Sequence, residues 1–289
     1  MKGILLAGGT GTRLRPITLA VCKQLLPVYD KPMVYYPLTT LMLAGVRDIL
    51  VITTPGDRAA FERLLGDGAA WGLRLSYAAQ AEPRGIAEAL ILGAGFLDGG
   101  PCALMLGDNL LYGQGLTEAV QAGAALTRGA LVLGHPVADP SRYGVLALRD
   151  GRVVDIVEKP SRPPSRLAVP GVYFYGPDAP ERAARLRPSA RGELEITDLN
   201  RAYLADGLLD VRLFGRGLAW LDMGTPEALA AASAFVQTLQ ERQGLRIGSP
   251  EEVAWRQGFI DDEGLRRAAR ASAGTTYGDY LLALLEVPS

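Results

Sequence analysis

The first 140 residues alternate short apolar runs with longer segments of helical period, and that alternation limits the folds open to the chain. Gly3–Ala7, Asp48–Thr54, Leu73–Ala78, Cys102–Gly107 and Ala130–Val137 have the length and apolar continuity of buried strands. Between them, Pro32–Ala44, Asp57–Leu65, Gly85–Leu97 and Gly115–Leu126 carry helical spacing. Strands buried on both faces and joined by helices form βα units, so the pattern predicts an α/β fold around a mixed, mostly parallel sheet. Ligands of such sheets gather beyond the carboxyl ends of the strands. Attention therefore falls on Gly8–Arg13 after the first run and on Gly107-Asp108-Asn109 after the fourth.

From about Tyr143 the runs shorten, to Gly144–Leu148, Arg152–Glu158, Val169–Tyr175 and Val211–Phe214, separated by turns rich in proline and glycine. This reads as a smaller α+β layer. Beyond Thr225-Pro226 the chain looks helical almost throughout. Thr225 is placed to cap a helix with Pro226 at its first position, and Ser249-Pro250-Glu251-Glu252 has the form of a capping box. No internal repeat or low-complexity segment is found.

Charge and composition remove several functions. Thirty Lys and Arg against 31 Asp and Glu leave a net charge of −1, so no global field draws the chain to nucleic acid or to an acidic membrane. The longest uncharged run, Pro32–Val46, contains Pro37 and is too short to span a bilayer; the amino-terminal apolar stretch is too short for an export signal. Cys22 and Cys102 are far apart and form no CxxC, which suits a reducing cytoplasm and gives no thiolate metal site. A single histidine, His135, excludes His-rich metal sites. It stands between Gly134 and Pro136 and reads as structural, as do Tyr35, Trp71 and Phe96. Cys22 reads as a space-filler beside Lys23, open to oxidation.

The run Gly8-Gly9-Thr10-Gly11-Thr12-Arg13 follows its strand directly, offering exposed backbone N–H groups and a guanidinium where a polyphosphate fits. Neither familiar phosphate loop matches: the dinucleotide fingerprint needs glycine where Leu14 stands, and a Walker loop needs Gly-Lys-Ser/Thr. The run continues to Lys23-Gln24-Leu25-Leu26-Pro27-Val28, so that Arg13 and Lys23 could flank one phosphate chain.

This opening, GGTGTRLRPITLAVCKQLLPVYDKPMVYYPL, resembles the signature of the sugar-nucleotide pyrophosphorylases, in their thymidylyltransferase branch. LGDN at Leu106–Asn109, RYGV at Arg142–Val145, EKP at Glu158–Pro160, GVYFY at Gly171–Tyr175, RGELEITDLN at Arg191–Asn200 and AWLDMGT at Ala219–Thr225 follow in that family's order and spacing. The resemblance implies a Rossmann-like nucleotidyltransferase core over 1–225, nucleotide-binding over 1–140 and sugar-phosphate-binding over 141–225. It also implies a C-terminal helical region over 226–289 used for assembly into a homotetramer and for an inhibitory nucleotide-sugar site. The implied reaction joins dTTP to glucose 1-phosphate with Mg²⁺, giving dTDP-glucose and pyrophosphate.

The resemblance further implies roles for particular residues. Gly8, Gly9, Gly11, Thr12, Arg13, Gln80, Gly85, Asp108 and Asn109 would bind the nucleotide, with Gln80 and Gly85 in a base-reading loop that faces a pyrimidine edge. Arg13 on the β- and γ-phosphates and Lys23 on the α-phosphate and the pentavalent transition state would be the catalytic residues. Asp108 and Asp222 would hold the metal; Tyr143, Gly144, Glu158 and Val169 would surround the hexose. The chemistry agrees, since a phosphate nucleophile is already anionic and needs no histidine to deprotonate it. The chain also departs from the family pattern. Glu82 and Arg84 stand where a small polar residue and an acid are usual, which leaves thymine against uracil open. Pro164 stands where a phosphate-binding lysine is expected, with Arg162 and Arg166 as candidate replacements, and Pro170 and Met223 replace threonines. A uridylyltransferase, or a transferase for another hexose 1-phosphate, therefore remains an alternative. A non-catalytic nucleotide-sugar sensor would not require Arg13, Lys23, Asp108 and Asp222 together.

Overall fold

The computed structural model describes residues 1–286; the last three residues of the helical region expected over 226–289 lie outside the described residues. In chain order the strands are β1 (Lys2–Leu6), β2 (Pro27–Val28), β3 (Lys31–Pro32), β4 (Asp48–Thr53), β5 (Arg74–Ala79), β6 (Cys102–Leu106) and β7 (Asn109–Gly113), followed by β8 (Ala130–Pro136), β9 (Gly144–Arg149), β10 (Arg152–Glu158), β11 (Leu167–Ala168), β12 (Val172–Tyr175), β13 (Leu209–Leu213) and β14 (Leu218–Asp222). Ten of these form one sheet in the order β10-β9-β11-β8-β12-β6-β1-β4-β5, with β13 parallel to β8. The β6-β1-β4-β5 half is parallel. The antiparallel pairs begin at β12, which lies between β6 and β8. The shorter strands after Tyr143 thus extend the first sheet.

Alternation along β1 explains the two-sided core. Leu5 and Ala7 join Val51 and Met105 on one face, against the helices Tyr35–Leu43, Arg58–Leu65 and Leu116–Ala124. Ile4 and Leu6 join Ile52 and Leu104 on the other, against Glu88–Leu92, Ala179–Ala184 and Ile196–Ala205. Each of these Leu, Ile, Val and Met side chains taken fully out of water stabilises the fold by about 1.5–3 kcal/mol. Tyr35 and Trp71 pack edge to face with centroids 5.7 Å apart. The helix expected over Gly85–Leu97 is interrupted at Gly93, where a β-carbon would stand 2.7 Å from Ile4 Cδ1. Glycine there lets the helix approach β1.

Thr225 Oγ1 accepts from Ala228 N–H at the start of Pro226–Gln243, as expected. The capping box at Ser249 is only half formed. Ser249 Oγ accepts from Glu252 N–H, while the Glu252 carboxylate turns to Arg256 and Tyr280 instead of reaching back. Among the described residues, no helix is long and apolar enough to cross a membrane. The ribbon β7–β14 has no counterpart in the apolar pattern, because Asn109-Leu110-Leu111-Tyr112-Gly113 shows no two-residue alternation. That ribbon carries Asn109 and Asp222.

Candidate active site

The glycine run leaves β1 with Ala7 N–H still bonded to Ile52 O, at 2.7 Å. Gly9 and Gly11 then take φ of +107° and +57°, positive values that glycine adopts without steric cost. The following 3₁₀ turn, Thr12–Leu14, buries Leu14 and leaves Thr12 and Arg13 exposed. Two side chains fix the run from behind: Gln24 Nε2 donates to Gly8 O (3.1 Å) and Thr18 Oγ1 to Gly11 O (2.7 Å).

Lys23 and Asp108 meet at the mouth of the parallel strands, Nζ to Oδ2 2.5 Å. Burial would raise the Asp108 carboxyl, but the charge and hydrogen bond of Lys23 outweigh it and hold the carboxyl below its ordinary value. Lys23 shows the reciprocal balance: burial lowers it, Asp108 more than restores it, and the ammonium ends above its ordinary value. Asp222 is brought alongside by β14, whose register pairs Asp222 with Asn109, and by Met223 N–H donating to Asp108 O at 3.0 Å. Burial pushes the Asp222 carboxyl above its ordinary value and the Asp108 charge adds to this, against Arg13, Arg142 and Lys23. A β-carbon on Gly224 would stand 2.7 Å from Arg13 Nη2 and 3.1 Å from Asp222 Oδ1, so the guanidinium lies over that glycine beside the carboxylate.

Asn109 is turned to the protein. Its Nδ2 donates to Asp108 Oδ1 (3.1 Å), and its Oδ1 accepts from Gly171 N–H (3.0 Å) and Trp220 Nε1 (2.6 Å). The side chain expected to touch a nucleotide therefore spends its acceptor on the fold and orients Asp108.

A cleft on the antiparallel side brings Tyr143, Gly144, Glu158 and Val169 together with Arg13, Asp108 and Asp222. Gly144 is required by packing, since a β-carbon there would meet Thr197 Oγ1 at 2.9 Å. Glu158 Oε2 accepts from Thr197 Oγ1 at 2.5 Å, while Oε1 faces Lys159 Nζ (3.3 Å) and Arg191 (3.5 Å). Tyr143 packs on Trp220 with centroids 4.7 Å apart. Neither Arg162 nor Arg166 lines the cleft, and Arg166 Nε donates outside it to Val137 O. Besides Arg13, the cations that line the cleft are Arg142, which reaches Asp222 at 3.4 Å, and Lys159; Arg191 is bonded to both oxygens of Glu195. Arg142, Lys159, Arg191 and Thr197 lie inside the quoted motifs, and the signal that could have found them is their adjacency to Tyr143, Glu158 and Glu195.

Gln80 and Gly85 do not line this cleft, but Ile86, next to Gly85, does; Gln80 follows β5. A β-carbon on Gly8 would stand 3.4 Å from Gln80 Oε1, which places that oxygen against the glycine run. Gly85 has φ +104°, and a β-carbon there would stand 2.4 Å from Leu194 O. His135 packs edge-on against Trp220, its pKa lowered by burial, with Nδ1 unpartnered. Burial pushes the Cys22 thiol up to about 11, so it stays protonated and inert at neutral pH.

A glycine-rich loop, two cations and two carboxylates, one buried and one half-buried, at the mouth of a half-parallel sheet define a nucleotidyltransferase, and the nucleotidyl transferase family profile matches residues 2–238. A protein of Neisseria meningitidis named glucose-1-phosphate thymidylyltransferase is 56% identical over 287 residues, covering 99% of this chain and 100% of its own. Among solved structures, a putative glucose-1-phosphate thymidylyltransferase from Bacillus anthracis in complex with sucrose is 39% identical with a TM-score of 0.76, over 81% of this chain and 94% of that one. A UDP-glucose pyrophosphorylase complexed with UDP-glucose is 27% identical, with a TM-score of 0.70, over 82% and 98%. The chain belongs to the nucleotidyl transferase family and, within it, to the glucose-1-phosphate thymidylyltransferases.

Proposed function

We propose that the protein transfers a thymidylyl group from dTTP to glucose 1-phosphate, releasing dTDP-glucose and pyrophosphate in a single displacement. The observation that carries this reading is the Lys23–Asp108 ion pair at the end of β6, with Arg13 and Asp222 beside it and the cleft of Tyr143 and Glu158 next to it. A phosphate oxygen of the sugar phosphate attacks the α-phosphorus. The bond to the β-phosphate breaks, and its electron pair leaves with pyrophosphate. The nucleophile arrives anionic, so no side chain must accept a proton. The work left to the protein is alignment of two anions and compensation of their charge.

In this reading Lys23 exchanges its carboxylate partner for the α-phosphate, and Arg13 holds the β- and γ-phosphates against the N–H groups of Gly8–Thr12. Enzymes of this family generally use a divalent metal, and the two carboxylates fit one: Asp222 is pushed up by burial and by Asp108, a repulsion that a shared cation relieves. Among the described residues no group of three or more His, Cys, Asp or Glu is placed to hold a metal ion. Asp108 and Asp222 plus substrate phosphates is the ligand set that suits Mg²⁺. When bound, the ion supplies positive charge to the phosphates. Glu158, fixed by Thr197, accepts from sugar hydroxyls, with Tyr143, Gly144 and Val169 shaping the pocket. Lys159, which lines the cleft, supplies the cation that Pro164 lacks, with Arg191 against the Glu158 carboxylate. The division into 1–140, 141–225 and 226–289, cytoplasmic residence and homotetramer assembly through the C-terminal helices are carried by the same reading.

The test is pyrophosphate release across dTTP, UTP and several hexose 1-phosphates. The expected outcome is highest kcat/KM with dTTP and glucose 1-phosphate. Preference for UTP or another hexose would move the assignment to the neighbouring specificity, and no turnover with any pair would overturn it in favour of a sensor.

A further inference from the structure

The Gln80 amide is held in one orientation. Its Nε2 donates to Glu88 Oε2 at 2.7 Å and to Gly85 O at 3.2 Å. Both partners are acceptors only, so a flipped amide would set oxygen against oxygen twice. Both N–H groups are thereby spent, and Oε1, against Gly8 at the edge of the phosphate loop, is the part of the amide left for a ligand. The Glu88 carboxylate is itself fixed. It is largely buried, and its other oxygen faces Arg84 Nε at 3.2 Å. Arg84 is one of the two residues whose charge departs from the family pattern, and the ion pair with Glu88 gives that departure a use.

We propose that Glu88, steadied by Arg84, is the positioning residue for base selection, locking Gln80 as an acceptor so that the site takes a pyrimidine carrying an imide N–H and refuses cytosine. Thymine and uracil present N3–H, which donates to Oε1. Cytosine presents a lone pair at N3, which meets the oxygen as a repulsive contact. Thymine and uracil are alike at this edge, so the lock sets the class of base and does not choose between them. The inference rests on the reading of Gln80 as the base-reading residue.

Equilibrium titration of the full-length protein with dTTP and dCTP in the presence of Mg²⁺ tests it without depending on turnover. The preference for dTTP, as a ratio of Kd values, is expected to fall about tenfold in Glu88→Ala, the size of one hydrogen bond to a charged group. In Arg84→Ala, at an exposed position that leaves the core untouched, the expected fall is about threefold. Glu88→Gln, which keeps a carbonyl acceptor, should restore most of the preference. A ratio unchanged in both alanine variants, or equal weakening of both nucleotides, overturns the lock. Gln80→Leu separates the two levels. If it abolishes the preference while Glu88→Ala and Arg84→Ala leave it intact, the lock alone fails. If the preference survives Gln80→Leu, the base-reading assignment fails.

Discussion

At the β1–β4–β5 end, apart from Arg13, the groups turned to a ligand are backbone and amide: a glycine run braced by Gln24 and Thr18, and Gln80 with both of its N–H groups held by Glu88 and Gly85 O. At the β9–β10 end it is made of charged side chains leaning on one another, with Glu158 between Thr197, Lys159 and Arg191, and Asp222 beside Arg142. The first end has few states. The second is built from partly exposed ion pairs, each worth about 0–1 kcal/mol, which a phosphate rearranges at little cost. One end is suited to gripping a chain of phosphates in fixed register, and the other to admitting and releasing a hexose phosphate. Lys23 and Asp108 stand where the two meet.

The largest expected effect is at that junction. Lys23→Met and Asp108→Asn should each lower kcat by about 10²- to 10³-fold, as loss of a charge-stabilising contact at the reacting phosphorus does. Circular dichroism checks that the fold remains. A loss of less than tenfold in either would remove the junction from the chemistry and leave two unrelated binding surfaces.

A second test asks whether the two ends are mechanically joined. Leu194 N–H donates to Arg84 O at 2.7 Å and Ala87 N–H to Leu194 O at 3.2 Å, so the base loop is laced to the segment that carries Arg191 and Glu195. Gly85→Ala would force a β-carbon into Leu194 O and a strained φ. The expected cost is about 1–3 kcal/mol of stability, with KM rising for nucleotide and sugar phosphate together. A rise in the nucleotide KM alone would show the ends to be independent. Thr197→Val is the local counterpart. It removes one partner of Glu158 and should raise the sugar-phosphate KM about three- to tenfold, with the nucleotide KM unmoved.

The two ends also differ in how far the sequence reveals them. The strands β1, β4 and β6 are legible within a residue or so because each is a nearly continuous apolar run, β5 because Leu73, Leu75 and Tyr77 alternate with Arg74 and Ser76, and the glycine run because it follows one of them. Asp222 is legible only through its motif, since β7 and β14 lack an alternating pattern. Gly85 and Gly144 are motif positions whose glycine is explained by backbone and hydroxyl neighbours distant in sequence, Leu194 and Thr197. The partners of Glu158 and Gln80 come from other elements, and no spacing rule links residues that meet only across a fold. Arg162 and Arg166 do not line the cleft, for the same reason: nearness in sequence to Pro164 does not by itself carry a side chain there.

The smallest expected effect concerns stability and separates the two carboxylates. Asp222 is raised above its ordinary value and Asp108 lowered, so on acidification Asp222 takes up a proton first. Between the ordinary carboxylate value and the raised one, the folded protein holds a proton that the unfolded chain has released. Stability of the metal-free protein therefore falls as pH rises through that window. Asp222→Asn removes the ionisation, so at neutral pH the metal-free variant should melt above the wild type, with the gap closing as pH is lowered through the window. Asp108→Asn should behave oppositely at neutral pH, because it leaves the Lys23 ammonium without its partner. Melting curves across pH, with and without Mg²⁺, read both. Added Mg²⁺ should stabilise the wild type and lose that effect in either variant. If Asp222→Asn instead melts below the wild type at neutral pH, the two carboxylates do not repel in the metal-free protein, and the pocket is held by Arg13 and Arg142 alone.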